Sequence, residues 1–131
     1  MKRTVLVIED NEQNLYLVTF MLEKSGYEVV PARDGQEGIE LAGRITPILI
    51  LLDIQLPGMD GYQVARALRS NPALDQVPIV AVTSYAMVGD RERALAAGCS
   101  GYIEKPINPE TFVADVERHL GGETRQEGNT L

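Results

Sequence analysis

The stretch Ile48 to Gly61, ILILLDIQLPGMDG, constrains this chain more than any other. Its first five residues, Ile48 to Leu52, are apolar without a break. They are too few for an ordinary helix and present no polar face, so they read as a strand buried on both sides, as in a parallel sheet. The run stops at Asp53, which puts a carboxylate at the carboxyl end of a buried strand. In open α/β sheets that edge is where ligands bind. Pro57-Gly58 then turns the chain, and Asp60 with Gln63 reads as the N-cap and N3 of the next helix.

A second apolar, β-branched run, Thr4 to Ile8 (TVLVI), also ends in acids, Glu9 and Asp10. Asn11 is a good N-cap for a helix over about 12–24, closed by Ser25-Gly26. Tyr27 to Pro31 (YEVVP) is a short strand, placed near the sheet edge by its proline. Asp34 and Glu37 predict a capping box for a helix reaching about Gly43. After the central strand, a helix from Gly61 to about Arg69 ends before Asn71-Pro72. Pro78 to Val82 (PIVAV) is a fourth strand, ending at Thr83-Ser84. A helix over about 88–97 stops at Gly98, and Ser100 to Ile103 is a weak fifth strand before Glu104-Lys105-Pro106. The last helix takes Asn108 as N-cap and Pro109 as N1, with Phe112, Val116 and Leu120 facing inward and His119 in its last turn.

Length and composition fit this reading. A chain of 131 residues, 44% hydrophobic and 24% charged, suits one globular domain, expected over 1–120. Residues 121–131 (GGETRQEGNTL) carry almost no apolar content and read as a disordered tail. No apolar run approaches the roughly 20 residues that span a bilayer, and MKRTVLVIED is too briefly apolar for a signal peptide. The single cysteine, Cys99, has no intrachain disulfide partner, which fits a reducing cytoplasm. A net charge of −7 argues against nucleic acid as a direct partner.

Five strands alternating with five helices give a doubly wound parallel sheet, and right-handed crossovers put all strand carboxyl ends on one edge. That edge collects Glu9, Asp10, Asp53, Thr83 and Lys105. Carboxylates about 5 Å apart at an effective dielectric of 20 repel by roughly 3 kcal/mol per pair, so one is protonated or a cation binds. Oxygen ligands in this number suit Mg²⁺, a cation commonly shared with phosphate. Lys105 adds a positive point charge and Thr83 a hydroxyl, which together with a metal would stabilise a phosphoryl group on Asp53. His119 has no evident catalytic company, and Cys99 reads as a small packing residue.

The four segments VLVIEDN, LLDIQLPGMDG, VAVTSYA and YIEKPI, in this order, resemble the receiver domain of bacterial two-component response regulators, of the CheY-like kind. The resemblance covers about residues 3–120 and implies a flavodoxin-like (βα)5 fold with strand order 2-1-3-4-5. It implies Asp53 as phosphoacceptor, Asp10 as direct Mg²⁺ ligand and Glu9 as the acid that holds the metal through water. Glu9 departs from the commoner aspartate. Gln55 matches the position whose backbone carbonyl binds the metal, Thr83 the switch hydroxyl, Lys105 the family lysine and Tyr102 the switch aromatic. Tyr85, two positions after Thr83, falls where family side chains tune the lifetime of the aspartyl-phosphate. The implied phosphodonor is a histidine kinase or histidine phosphotransfer protein. With no output segment following the receiver, signalling is expected to run through protein contact with a downstream target.

Two other readings use the same residues. One is a Mg²⁺-dependent phosphatase with an aspartyl-phosphate intermediate. Enzymes resembling the haloacid dehalogenases place a second acid two residues after the nucleophile, where this chain has Gln55. The other is a scaffold that binds partners without phosphorylation. Finally, Asn14, Leu17, Val18, Met21 and Leu22 share one face of the first helix as its core side. Tyr16 and Phe20 then fall nearly opposite, with Leu15 on a flank, as an exposed apolar patch beside the acidic edge. That patch is expected to bind the phosphodonor protein or a second copy of the chain.

Overall fold

The unbroken apolar run becomes the middle strand of a five-stranded, all-parallel sheet in the order β2-β1-β3-β4-β5. The computed structural model describes residues 3–84 and 89–129, with side chains up to Leu120. The strands are β1 (Thr4–Ile8), β2 (Glu28–Ala32), β3 (Leu49–Asp53), β4 (Ile79–Thr83) and β5 (Gly101–Glu104). The helices are α1 (Glu12–Lys24), α2 (Gly35–Ile45), α3 (Gly61–Arg69), α4 (Asp90–Ala96) and α5 (Phe112–Asn129), with a 3-10 turn at Pro72–Leu74. Every residue of β3 and β4 is buried. β2 lies at the edge, where Pro31 removes no hydrogen bond that a central strand would need.

Side chains alternate along each strand, which divides the core in two. Leu6, Ile8, Ile50 and Leu52 pack with Ala42 of α2, Val64 and Leu68 of α3, and Ala94 of α4. Val5, Val7, Leu49 and Leu51 pack on the other face with Val18 and Leu22 of α1 and with Phe112 and Val116 of α5. Two helices therefore cover one face and three the other. The hydrophobic effect holds β3 from both sides and fixes the direction in which Asp53 leaves the sheet.

The helix starts follow the expected chemistry, with local differences. Asn11 Oδ1 accepts from the Asn14 N–H at 2.9 Å. Asp60 Oδ1 accepts from the Tyr62 N–H, and Gln63 Oε1 accepts from the Asp60 N–H, completing that capping box. At α2, Asp34 Oδ1 accepts from the Glu37 N–H, but Glu37 Oε1 reaches back to the N–H of Arg33, one residue further than a capping box requires. Asn108 caps a first turn through the Glu110 N–H, and the regular helix begins only at Phe112. Helix α5 runs past the boundary expected at Gly121, so His119 is not in its last turn. It lies instead against Gly101 of β5, where a Cβ would meet its ring. The side chains of 121–129, and residues 130 and 131, lie outside those described. The tail expected there is therefore not among the described features.

Leu15 is corrected by the structure. It is 7% exposed and packs in the core with Val18, Met21 and Leu22. Leu17, at the opposite flank of the helix, is the half-buried one. The periodicity locates the stripe around Val18 but cannot distinguish its two leucine flanks. The position of α1 against the sheet and α5 does that.

One glycine connects the core to the site edge. A Cβ on Gly61 would sit 2.5 Å from the Ile54 Cα and 2.6 Å from its carbonyl oxygen, both backbone atoms that have no rotamer to escape into. We predict that Gly61→Ala costs about 1–3 kcal/mol of stability, as overpacking typically does. Urea unfolding midpoints measure this, and a wild-type midpoint would show that the β3–α3 loop yields freely.

Candidate functional site

The carboxyl ends of β1, β3, β4 and β5 bring Glu9, Asp10, Asp53, Thr83 and Lys105 to one edge of the sheet. Glu9 is pinned there by its backbone: its N–H donates to the Ala32 carbonyl at 2.9 Å, and its side-chain Oε2 accepts from the Asn11 N–H at 3.1 Å. Glu9 and Asp53 are buried, whereas Asp10 is exposed. One carboxylate oxygen from each of the three lies within 4.8 Å of the others. Asp53 Oδ1 accepts from the Gln55 N–H at 2.9 Å, and its Oδ2 lies 3.3 Å from Lys105 Nζ. Lys105 Nζ is also 3.7 Å from Glu9 Oε1, so one ammonium bridges two buried acids.

One positive charge does not offset three negative ones. Burial pushes the Glu9 carboxyl up from its ordinary 4.5 to about 7, and the hydrogen bond and charge of Asp53 add to the rise. The Asn11 N–H and the Lys105 ammonium pull the other way. The edge therefore binds a proton unusually well, which is the behaviour of a site built for a cation. Three clustered carboxylate oxygens form a hard donor set that fits a divalent cation of the Mg²⁺ kind.

Thr83 is buried at the end of β4, and its carbonyl accepts from the Lys105 N–H at 2.8 Å. Tyr102, on β5, is half-buried and packs toward the α3–α4 face, where burial and the charges of Glu104 and Asp90 push its phenol up. Tyr85 lies outside the described residues.

The fold and this edge have close counterparts. The response regulator receiver domain profile matches residues 5–117. The chain belongs to the response regulator receiver domain family. The receiver is 42% identical over 121 residues to the polar-differentiation response regulator DivK of Brucella anthropi, a match covering 92% of this chain and 98% of that one. Among solved structures it resembles the receiver domain of the sensor histidine kinase PA1611 from Pseudomonas aeruginosa, which has a magnesium ion coordinated in its active-site cleft. That match has a TM-score of 0.85 and 34% identity and covers 93% of this chain and all of the other. It also resembles the Vibrio cholerae chemotaxis protein CheY4, with TM-score 0.86 and 28% identity over 91% of this chain and 99% of that one. Among the described residues, no helix of the receiver is long and apolar enough to cross a membrane.

Two features of the receiver, one at the acidic edge and one at the far end of the sheet, are not visible in the sequence. One is the partner of the Gln55 side chain, whose Oε1 accepts from both the N–H and the hydroxyl of Ser84, at 3.0 and 2.6 Å. The two residues are 29 positions apart, and no local pattern joins them. The other is Arg69, whose guanidinium donates to the carbonyls of Gly98 and Leu74 and to the Ser100 hydroxyl. It ties α3 to the loop before β5 at the end of the sheet away from the acids.

The raised Glu9 carboxyl gives a pH prediction. A group that binds its proton more tightly folded than unfolded contributes stability below its unfolded value, and that contribution is lost as pH rises through its folded value. In EDTA, the receiver's melting temperature falls as pH rises from about 5 to about 8, and the advantage of Glu9→Gln over wild type grows across the same window. Thermal melts of both proteins measure it. An advantage independent of pH would place the proton elsewhere.

Proposed function

We propose that this receiver is a phosphorylation-dependent signalling switch in which Asp53 accepts a phosphoryl group from the phosphohistidine of a histidine kinase or histidine phosphotransfer protein. The observation that carries the reading is the placement of the Asp53 carboxylate, 3.3 Å from Lys105 Nζ and clustered with Glu9 and Asp10 at a single strand edge. An Asp53 oxygen attacks phosphorus, the donor's phosphorus–nitrogen bond breaks, and the imidazole nitrogen keeps the electron pair and takes a proton. Mg²⁺ held by Glu9, Asp10, Asp53 and the backbone carbonyl of Gln55 would neutralise charge on the transferring phosphoryl oxygens.

The chain's own residues carry the rest. Burial excludes bulk water from Asp53, which strengthens every charge interaction around it. The Gln55 N–H orients the carboxylate. The Lys105 ammonium, now shared between Asp53 and Glu9, is the cation that follows the new charge onto the phosphoryl group. Thr83 supplies the hydroxyl that registers the phosphoryl, and Tyr102, half-buried on β5, carries the change to the surface. A charge-assisted hydrogen bond is worth about 1.5–3 kcal/mol, less than the roughly 5.5 kcal/mol that inverts a 1:99 population, so Thr83 acts together with Lys105, Tyr102 and the partner.

The receiver signals by contact with a downstream protein, in the cytoplasm and without direct nucleic-acid binding. The acidic balance and the buried Cys99, whose thiol burial pushes up to about 11, fit that setting. Phosphodonor docking, or pairing with a second copy, uses the outer face of α1. There Tyr16 is 74% and Phe20 53% exposed, while Leu15 is not part of the patch.

Asp53→Asn abolishes labelling by a phosphodonor, and EDTA stops labelling of the wild type. Radiolabel incorporation checks both, and full labelling of the mutant in Mg²⁺ would refute the assignment. Phe20→Glu slows phosphotransfer from the kinase but not labelling by acetyl phosphate, because the small donor never meets the helix. Stopped-flow rates with both donors decide this. Equal slowing would mean damage to the site, and unchanged rates together with an unaltered oligomeric state would remove the patch from the mechanism.

A further inference from the structure

We infer that the side chain of Gln55 is a positioning residue for the switch: it stands in for a missing backbone acceptor, holds the peptide between Thr83 and Ser84, and so fixes the switch threonine beside Asp53. The inference rests on the reading of Asp53 as phosphoacceptor and Thr83 as switch hydroxyl. It assigns the Gln55 side chain a role separate from that of its backbone.

The argument starts from the ladder between β3 and β4. Asp53 is in register with Val82, and the Ile54 N–H donates to the Val82 carbonyl at 3.1 Å. In a parallel ladder the next bond runs from the Ser84 N–H to the Ile54 carbonyl. That carbonyl instead accepts from the Gly61 N–H, at 3.3 Å, where the chain turns into α3. The Ser84 N–H finds Gln55 Oε1 at 3.0 Å, and the Ser84 hydroxyl finds the same oxygen at 2.6 Å. The N–H bond identifies this amide atom as the oxygen, since a backbone N–H needs an acceptor. The other side of the same peptide is held as well: the Thr83 carbonyl accepts from the Lys105 N–H at 2.8 Å. The peptide plane that sets Thr83 ψ is thus bonded on one side by the residue bearing the site ammonium. On the other it is bonded by the residue whose N–H orients Asp53. Phosphorylation changes the charge that both neighbours face, and this peptide passes the change to β4.

The test is amide hydrogen exchange at Ser84, followed by NMR in the unphosphorylated protein. The wild-type Ser84 amide is protected. Gln55→Met, equal in reach but without an acceptor, exchanges there about tenfold faster, the size of one hydrogen bond's net contribution. Gln55→Glu keeps an oxygen at that reach and restores protection. In protein labelled with acetyl phosphate and Mg²⁺, the Thr83 amide shift change per labelled molecule falls by about half or more in Gln55→Met and recovers in Gln55→Glu. An unprotected wild-type Ser84 amide, equal exchange in wild type and Gln55→Met, or a full Thr83 response in Gln55→Met would overturn the inference. Failure of the phosphoacceptor reading shows differently, as wild-type protein that acetyl phosphate does not label. The exchange comparison still decides the role of Gln55 in that case.

Discussion

The structure depends on a carboxylate held where a carboxylate is costly. Asp53 ends a strand buried on both faces, and Glu9, also buried, ends the neighbouring strand. Their repulsion in a poorly screened setting is answered by one ammonium and by backbone N–H groups from Asn11 and Gln55, and burial beside Asp53 raises the proton affinity of Glu9. The two-sided core supplies the mechanical half of that arrangement. Val18, Leu22 and Phe112 press on one face of the sheet and Val64 and Leu68 on the other, so the strand ends cannot relax apart.

An edge under this tension is suited to being a switch. On the proposed reading, a doubly charged group on Asp53 would change which of Asp53, Glu9 and the phosphoryl oxygens Lys105 faces. Lys105 is joined through its N–H to the Thr83 carbonyl, and the Thr83–Ser84 peptide is joined to Gln55. A small set of hydrogen bonds at the ends of β3, β4 and β5 thus borders Asp53 and Lys105. At the opposite end of the sheet, Arg69 fastens α3 to the loop before β5 with two donated hydrogen bonds and to the 3-10 turn at Leu74 with a third.

The outer surface of α1 carries exposed aromatic side chains. Tyr16 and Phe20 lie an even helical turn apart and outside the core stripe, and Lys24 approaches the Phe20 ring at 5.8 Å. The helix begins two residues after Asp10, which places this surface beside the acidic edge.

Much of this was legible in the residues themselves. The run from Ile48 to Leu52 announces a strand buried on both faces, because no other short element tolerates apolar side chains all round. Asn11, Asp34, Asp60 and Asn108 mark helix starts, because their side chains satisfy nearby backbone donors. The alternation of strands and helices brings Glu9, Asp10, Asp53, Thr83 and Lys105 to one edge through the handedness of the crossovers. Tertiary structure alone decided the rest. Leu15 and Leu17 are equivalent in periodicity, and only the packing of α1 on the sheet and α5 buries the first. The bond between Gln55 and Ser84, beside an Ile54 carbonyl that accepts from Gly61, joins residues that no sequence pattern pairs. The raised proton affinity of Glu9 follows from burial and the nearness of Asp53, with Lys105 opposing it; these are distances, and distances between residues far apart in the chain exist only once it has folded.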